Sequence, residues 1–257
     1  MSDCQWAILD DVPSAGRYVY FSVASAVAGD IRQSLTRLAD LADGAQVLVG
    51  IGPGLLNLLG AQVPGLHGFK ALSGARVVVP ATSAALCCWL RGDDRGELLH
   101  LMRQLQKALA PGLALDSTVS AFRYGHGPNG HGRDLTGYED GTENPVADAA
   151  RTAARVQGAG PGLDGSRVMG LHHGGHDLDA FDAMSPPAQD HMIGRSRVSN
   201  DELDEAPESA HVKRTAQESF SPAAFMLRRS MPWTAGAQSG LMFVAFGHSL
   251  NAFEVLM

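Results

Sequence analysis

The chain has 257 residues, 45% hydrophobic and 18% charged, a balance that excludes intrinsic disorder and supports one large or two small globular domains. Its 27 acidic and 20 basic residues give a net charge of −7, which argues against a nucleic-acid or anionic-membrane partner. No apolar run reaches the length of a membrane span, and Met1–Asp11 lacks a basic segment followed by an apolar one. We therefore expect a cytoplasmic protein.

The first half of the sequence predicts four strands and two helices in the order β-α-β-β-α-β. Aromatic and β-branched runs indicate the strands, and leucines at helical spacing indicate the helices. This order is typical of a ferredoxin-like unit. The predicted strands are Arg17–Ala24, Gln46–Ile51, Leu86–Leu90 and Leu113–Tyr124, and the predicted helices lie within Ile31–Leu41 and Leu98–Leu109.

The second half begins with a Gly-rich segment, Gly125–Gly160, in which only Val146–Ala154 has helical character. The order β-α-β-β-α follows, and then the chain stops. The predicted strands are Arg167–Leu171, Ala224–Arg228 and Leu241–Phe246, and the predicted helices are Asp177–Ile193, interrupted at Pro186–Pro187, and Ser249–Met257.

Together the two halves predict an α+β fold of duplicated ferredoxin-like units with antiparallel sheets, residues 1–124 and 125–257. The second unit lacks its closing strand, so we expect it to be incomplete, either naturally or by truncation. A missing strand leaves unpaired backbone groups along a sheet edge. We therefore expect a homo-oligomer in which another subunit covers that edge.

The three cysteines bear on the compartment. Cys87 and Cys88 are adjacent in a strand-like segment, and neighbouring strand residues point to opposite faces, so they are poor disulfide partners for each other. Cys4 makes the count odd. We expect free thiols and a reducing compartment.

Two further patterns have ordinary structural explanations. Gly50–Gly54 (GIGPG) has the wrong glycine spacing for GxGxxG, and Pro53 lacks an amide proton, so a β-to-α turn is favoured over a phosphate site. Several histidines are clustered, but a zinc site needs three or four converging ligands. We therefore interpret them as solvent-exposed loop residues rather than as zinc ligands. These histidines are His126, His131, His172, His173 and His176.

The most informative segment is Gly137–Pro145 (GYEDGTENP), which places a carboxylate, Asp140, on a glycine-bracketed loop. By itself it is explained by a polar turn before a helix. It also resembles the signature of the dye-decolourising haem peroxidases, with closest likeness to the shorter bacterial (B/P-type) branch. Similar segments run in order along the chain: Trp89–Leu98, Arg133–Thr136, Ile193–Arg197, Asp201–Glu205, Ser209–His211 and Leu227–Trp233.

The resemblance implies a b-type haem, iron protoporphyrin IX, held by the second unit. It implies that His211 is the proximal iron ligand, that Asp140 and Arg228 are the catalytic pair on the distal side, and that Arg195 pairs with a haem propionate. A carboxylate suits general acid–base proton transfer, and a guanidinium suits stabilisation of the charge that develops on peroxide. Arg229 follows Arg228 directly, so the choice between them rests on register. Without the resemblance, His211 has the pattern of an ordinary loop histidine.

The implied function is a haem-dependent peroxidase that reduces hydrogen peroxide and oxidises small organic reductants such as phenols and dyes. One alternative is a haem-binding or haem-handling protein with incidental peroxidase activity, and another is a ferredoxin-like interaction module without haem. The presence of both Asp140 and Arg228 favours the enzyme, because a binding module has no need of the distal pair. Ser230 stands where some relatives carry a distal Asn, so one distal hydrogen-bond donor is changed.

Overall fold

The computed structural model describes residues 5–74 and 77–257, which form two compact units. Unit 1 contains the described residues up to Ser120 together with Gln157–Ser166. Unit 2 contains Ala121–Val156 and Arg167–Met257. Cys4, and the expectation attached to its thiol, lies outside the described residues.

Unit 1 has the predicted β-α-β-β-α-β order, to which a short helix and a small hairpin are added. Its main sheet has the strand order β2-β5-β1-β6, and β5 is antiparallel to both β1 and β2. This is the ferredoxin-like arrangement expected from the sequence. The elements are β1 (Ala15–Val23), α1 (Ala28–Ala39), β2 (Val47–Ile51), α2 (Pro53–Leu58), β3 (Leu72–Ser73), β4 (Val78–Val79), β5 (Leu86–Gly92), α3 (Arg95–Leu109) and β6 (Leu113–Phe122).

The core of unit 1 follows from the predicted periodicity. Ile31 and Leu38 of α1 and Leu98, Leu105 and Leu109 of α3 are buried in one cluster with the apolar residues of the strands, whereas the predicted helical Leu99 is exposed. Asp94 caps α3 by accepting hydrogen bonds from the backbone amides of Gly96 and Glu97, at 2.7 and 3.0 Å. The GIGPG segment is the expected β-to-α turn, in which a Cβ at Gly52 would lie 2.1 Å from the Ala84 carbonyl oxygen.

Unit 2 is built on a sheet of order β9-β10-β7, in which β10 also pairs with β8. All of these pairings are antiparallel. Ala121, near the end of β6, pairs with Trp233 of β9. The elements are α4 (Ala147–Ala154), β7 (Val168–Gly175), α5 (Leu178–Asp182), α6 (Pro186–Ile193), α7 (His211–Arg214), β8 (Leu227–Arg228), β9 (Met231–Ala235), β10 (Gln238–Gly247) and α8 (Asn251–Leu256).

Two strands of unit 2 differ from the prediction. The predicted strand Ala224–Arg228 is reduced to the two residues of β8, because the amides of Ala224 and Met226 donate to Gln217 instead of to a neighbouring strand. The sequence analysis did not predict β9, which contains Pro232, a residue that argues against a strand because it cannot donate to the ladder. The helix interruption at Pro186 is confirmed, since proline begins α6.

The short helix α8 packs closely on the sheet. A Cβ at Gly170 of β7 would lie 2.3 Å from the ring of Phe253, which is buried. The ring of Phe253 lies 6.1 Å from that of Phe243 on β10. Glycine at position 170 therefore allows α8 to approach β7.

The two described cysteines are free thiols. Cys87 and Cys88 are both buried and unbridged, as expected, and burial raises the pKa of each thiol. Among the described residues no helix has the length and apolar character that crossing a membrane requires.

Candidate active site

Asp140 lies on a tightly folded loop. Gly137 and Gly141, three residues before it and one after, have φ values of +89° and +88°, a conformation that glycine adopts without steric cost. The Asp140 amide donates to the carbonyl of Gly132 at 2.9 Å, and the Asp134 amide donates to the carbonyl of Tyr138 at 2.9 Å. These bonds hold the Asp140 backbone in one place.

His211 is the first residue of α7, which packs against the end of α6. Gly194 ends α6 with φ +93°, and a Cβ there would lie 2.4 Å from Val212 Cγ2. Gly194 therefore lets α7 approach α6, and this contact fixes the start of α7. Within the described part of the chain, neither ring nitrogen of His211 has a hydrogen-bond partner. The imidazole is free to act as a ligand.

Arg228 lies on β8, and Arg229 follows it. Arg228 pairs with Ala245 of β10, and the Arg229 amide donates to the Val244 carbonyl at 2.8 Å. The charge of Arg228 acts on the pKa of both Asp140 and His211, which agrees with the choice that the register indicates.

The three side chains form one electrostatic group. Burial raises the pKa of Asp140, and the positive charge of Arg228 opposes that shift. Burial lowers the pKa of His211, and Arg228 lowers it further, while the carboxylate of Asp140 opposes the change. Burial also lowers the pKa of Arg228, with Asp140 opposing. Asp140 and Arg228 each act on the pKa of the other, and both act on the pKa of His211, so the structure brings the three side chains into one region.

All three groups remain open to solvent. His211 is exposed, and Asp140 and Arg228 are half-buried, although the surrounding protein desolvates each of them. A ligand can therefore approach all three.

The structure places Arg195 in a separate set of contacts. Its Nη2 donates to Glu143 Oε1 at 2.5 Å and to Glu202 Oε2 at 3.2 Å, and its Nη1 donates to the Asn200 carbonyl at 2.9 Å. The guanidinium is nearly buried, whereas both glutamates are exposed. These contacts use three of the five N–H groups of the guanidinium.

The sequence analysis missed an ion pair between His176 and Asp134, whose charge also raises the pKa of Asp140. His176 Nε2 and Asp134 Oδ2 are 2.7 Å apart, with side chains 25% and 15% exposed. Asp134 Oδ1 accepts from both the amide and the hydroxyl of Thr136. The hydrogen bond raises the pKa of His176. Burial acts to raise the pKa of Asp134, but the bonds from His176 and Thr136 outweigh it, and this pKa is lowered.

The sequence indicates the local turn at Asp134 but not its pairing with His176. The spacing Asp134–Thr136 is typical of an Asx turn, but nothing in the sequence links Asp134 to His176, 42 residues away. The structure therefore gives His176 a specific partner, so for this residue the expectation of a solvent-exposed loop histidine is wrong. His173 packs its ring against Trp233, with centroids 4.3 Å apart.

The donor set fits a haem iron. Among the described residues, no group of three His, Cys, Asp or Glu side chains could hold a metal ion, so His211 stands as a single donor. One neutral imidazole is a ligand that would suit a haem iron, because the porphyrin would supply the remaining nitrogen donors. Ser230 is buried, and its hydroxyl accepts from the Val244 amide at 3.4 Å.

The chain is similar in sequence to known proteins. The family model of the C-terminal region of Dyp-type peroxidases matches residues 131–257. A dye-decolorizing peroxidase of Rhodococcus erythropolis is 28% identical over 84% of this chain and 64% of its own length. One from Mycolicibacterium paratuberculosis is 27% identical over 75% of this chain and 54% of its own. The chain thus spans just over half to under two thirds of these relatives.

Solved structures share the fold. DypB of Rhodococcus jostii RHA1, in a variant complexed with heme, superposes with a TM-score of 0.83 over 97% of this chain and 85% of its own, at 23% identity. A dye-decolorizing protein from V. cholerae gives a TM-score of 0.77 over 97% of this chain and 86% of its own, at 24% identity. At this level of identity the likeness establishes the duplicated ferredoxin-like fold, as the sequence predicts.

Proposed function

We propose that the protein is a haem-dependent peroxidase of the Dyp type, because the family model of the C-terminal region of Dyp-type peroxidases matches residues 131–257. It reduces hydrogen peroxide and oxidises small organic reductants such as phenols and dyes. The observation that carries the proposal is the grouping of Asp140, Arg228 and His211 around one solvent-accessible site. A binding module has no need of a proton-transfer group beside an arginine.

Haem b is the proposed cofactor, with His211 as its ligand. When bound, it supplies the iron centre at which the O–O bond of peroxide is cleaved. The lowered pKa of His211, which burial causes, keeps the imidazole neutral and its lone pair available. Arg195 is proposed to bind a propionate in place of Glu143 or Glu202, a carboxylate-for-carboxylate exchange that preserves the charge balance of its guanidinium.

Asp140 and Arg228 have different roles in the reaction with peroxide: Asp140 transfers a proton and Arg228 stabilises negative charge. The Asp140 carboxylate accepts a proton from one peroxide oxygen and returns it to the departing oxygen, which leaves as water. Since burial raises its pKa, Asp140 exchanges protons closer to neutral pH than an ordinary aspartate. Arg228 is fixed beside it and stabilises the negative charge on the oxygen that loses the proton.

We further propose that the protein is cytoplasmic and forms a homo-oligomer. A cytoplasmic location is supported by the free thiols of Cys87 and Cys88. A homo-oligomer is supported by the position of β7, which among the described strands pairs only with β10. Light scattering of the purified protein tests the assembly, and a monomer at micromolar concentration contradicts it.

The experiment is stopped-flow mixing of the haem-loaded protein with hydrogen peroxide, followed by visible absorbance. Arg228→Leu is expected to slow the reaction about 10²-fold, the usual cost of removing a preorganised charge stabiliser. Asp140→Asn slows it less, and the control Arg103→Leu, which removes an exposed arginine on α3, leaves it near the wild-type rate. If both site variants react as fast as the wild type while haem stays bound, the haem-handling alternative replaces the peroxidase.

A further inference from the structure

We propose that Asn144 is a positioning residue that sets the location of Arg228 relative to Asp140, with Gln217 supporting it. The inference rests on the proposed function, because it assigns a role in that reaction. It concerns two carboxamide side chains that join the Asp140 loop to the segment carrying Arg228.

The first observation is how Arg228 is held. Along a strand, backbone groups face alternate edges. The Arg229 amide faces β10 and donates to Val244, whereas the amide and carbonyl of Arg228 face the other edge. There the Asn144 carboxamide meets both: its Oδ1 accepts from the Arg228 amide at 2.8 Å, and its Nδ2 donates to the Arg228 carbonyl at 3.1 Å. Asn144 thus replaces a strand partner.

The second observation is how Asn144 is tied to Asp140. Only three residues separate them, and the Asn144 amide closes a turn by donating to the Gly141 carbonyl at 3.0 Å. A Cβ at Gly141 would lie 3.0 Å from Asn144 Nδ2, so glycine leaves room for the carboxamide. One short, hydrogen-bonded turn therefore connects the carboxyl group to the residue that holds Arg228.

Gln217 makes a parallel connection. Its Nε2 donates to the Glu143 carbonyl at 3.0 Å, and its Oε1 accepts from the Met226 amide at 3.1 Å. Glu143 precedes Asn144, and Met226 lies two residues before Arg228. Gln217 is buried, so these bonds are shielded from water. The two carboxamides therefore join the same two backbone segments at adjacent points.

This arrangement has a consequence for Arg228. Strand β8 has only two residues, and besides its pairing with β10 the Arg228 backbone is held by Asn144 and by one bond from Arg229 Nη1 to the Arg228 carbonyl at 3.0 Å. With Asn144 in place, the Arg228 backbone is held from both edges, so the side chain that carries the guanidinium starts from a fixed Cα position. Misplacement of a catalytic group by about 1 Å costs up to roughly 10²-fold in rate, so loss of the Asn144 bonds is expected to slow the peroxide reaction about tenfold.

The test uses Asn144→Leu, which keeps the number and branching of the side-chain heavy atoms and removes both hydrogen bonds, and Asn129→Leu as an exposed control on the same unit. The first readout is the Asp140 carboxyl titration in the haem-free protein, followed by ¹³C NMR. Because the Arg228 charge holds the Asp140 pKa down, Asn144→Leu is expected to raise it, and Asn129→Leu to leave it unchanged. This readout is independent of whether the loaded protein is a peroxidase.

The second readout is a double-mutant cycle on the peroxide reaction of the loaded protein. If Asn144 acts through Arg228, Asn144→Leu slows the wild type but adds no further slowing to Arg228→Leu. An unshifted Asp140 titration, or equal slowing in both backgrounds, overturns the proposal. Should Asn144→Leu fail to fold, Gln217→Met, which removes the neighbouring connection, carries the same expectations and the same refuting results.

Discussion

The ion pair between Asp134 and His176 predicts a pH-dependent contribution to stability. The pKa of His176 is raised by its hydrogen bond to Asp134, so its contribution is complete below the unfolded value, about 6.5, and is lost as pH rises through the folded value. The pKa of Asp134 is lowered, so its contribution is complete above about 3.9 and is lost as pH falls. The pair therefore stabilises most strongly between about pH 4 and 6.5.

The perturbation is His176→Gln, which keeps a neutral donor and removes the charge. Hydrogen bonds to charged groups contribute roughly 1.5–3 kcal/mol and neutral ones roughly 0.5–1.5. The 2.7 Å contact is mostly shielded from solvent, so we expect the variant to lose about 1 kcal/mol at pH 5.5. For a chain of this size that corresponds to a fall in Tm of about 2–4 °C.

The assay is thermal unfolding followed by circular dichroism at pH 5.5 and pH 9. At pH 9 the histidine is neutral, like the glutamine that replaces it, and the difference in Tm is expected to vanish. His100→Gln, an exposed change on α3, serves as the control and has no effect at either pH. A difference in Tm that is equal at the two pH values refutes the reasoning.

Two further variants test packing and burial. Gly170→Ala is expected to destabilise unit 2 by about 1–3 kcal/mol, because its methyl group overlaps Phe253. The control Gly174→Ala, in which the nearest contact of the new methyl group is at 3.6 Å, is expected to leave Tm almost unchanged. Equal effects of the two variants contradict this packing. Asp140→Asn is expected to raise Tm at pH 7. Burial raises the pKa of Asp140, so its stabilising term is complete below about pH 3.9 and is lost as pH rises through the folded value. The gain therefore shrinks towards pH 3.5, and a gain that stays constant with pH counts against the burial of this carboxyl.

The strand and helix order was predictable because it depends on local periodicity. Alternating and helical spacing identified the elements of unit 1, and Pro186 indicated where a helix begins. Strand β9 was not predictable in the same way, because Pro232 lies inside it and its stability comes from pairing with β10. The short β8 depends on Gln217, which takes up backbone amides that a longer strand would use.

The site was predictable only as far as a motif could indicate it. Asp140, Arg228 and His211 were identified through resemblance, since no spacing rule connects residues that lie on a loop, a strand and a helix. The partners that hold them are contacts over long sequence separations, 84 residues for Asn144 and Arg228. Such pairs leave no periodic signal, and chain folding alone brings them together.

The central claim is that His211 binds the iron of a haem in this site. The most direct measurement is the visible spectrum of the purified protein titrated with haem, compared with His211→Ala and with His100→Ala as a control on an exposed histidine. The account predicts a Soret band typical of histidine-ligated haem for the wild type and the control, and its loss or displacement in His211→Ala. An identical spectrum in all three proteins contradicts the assignment.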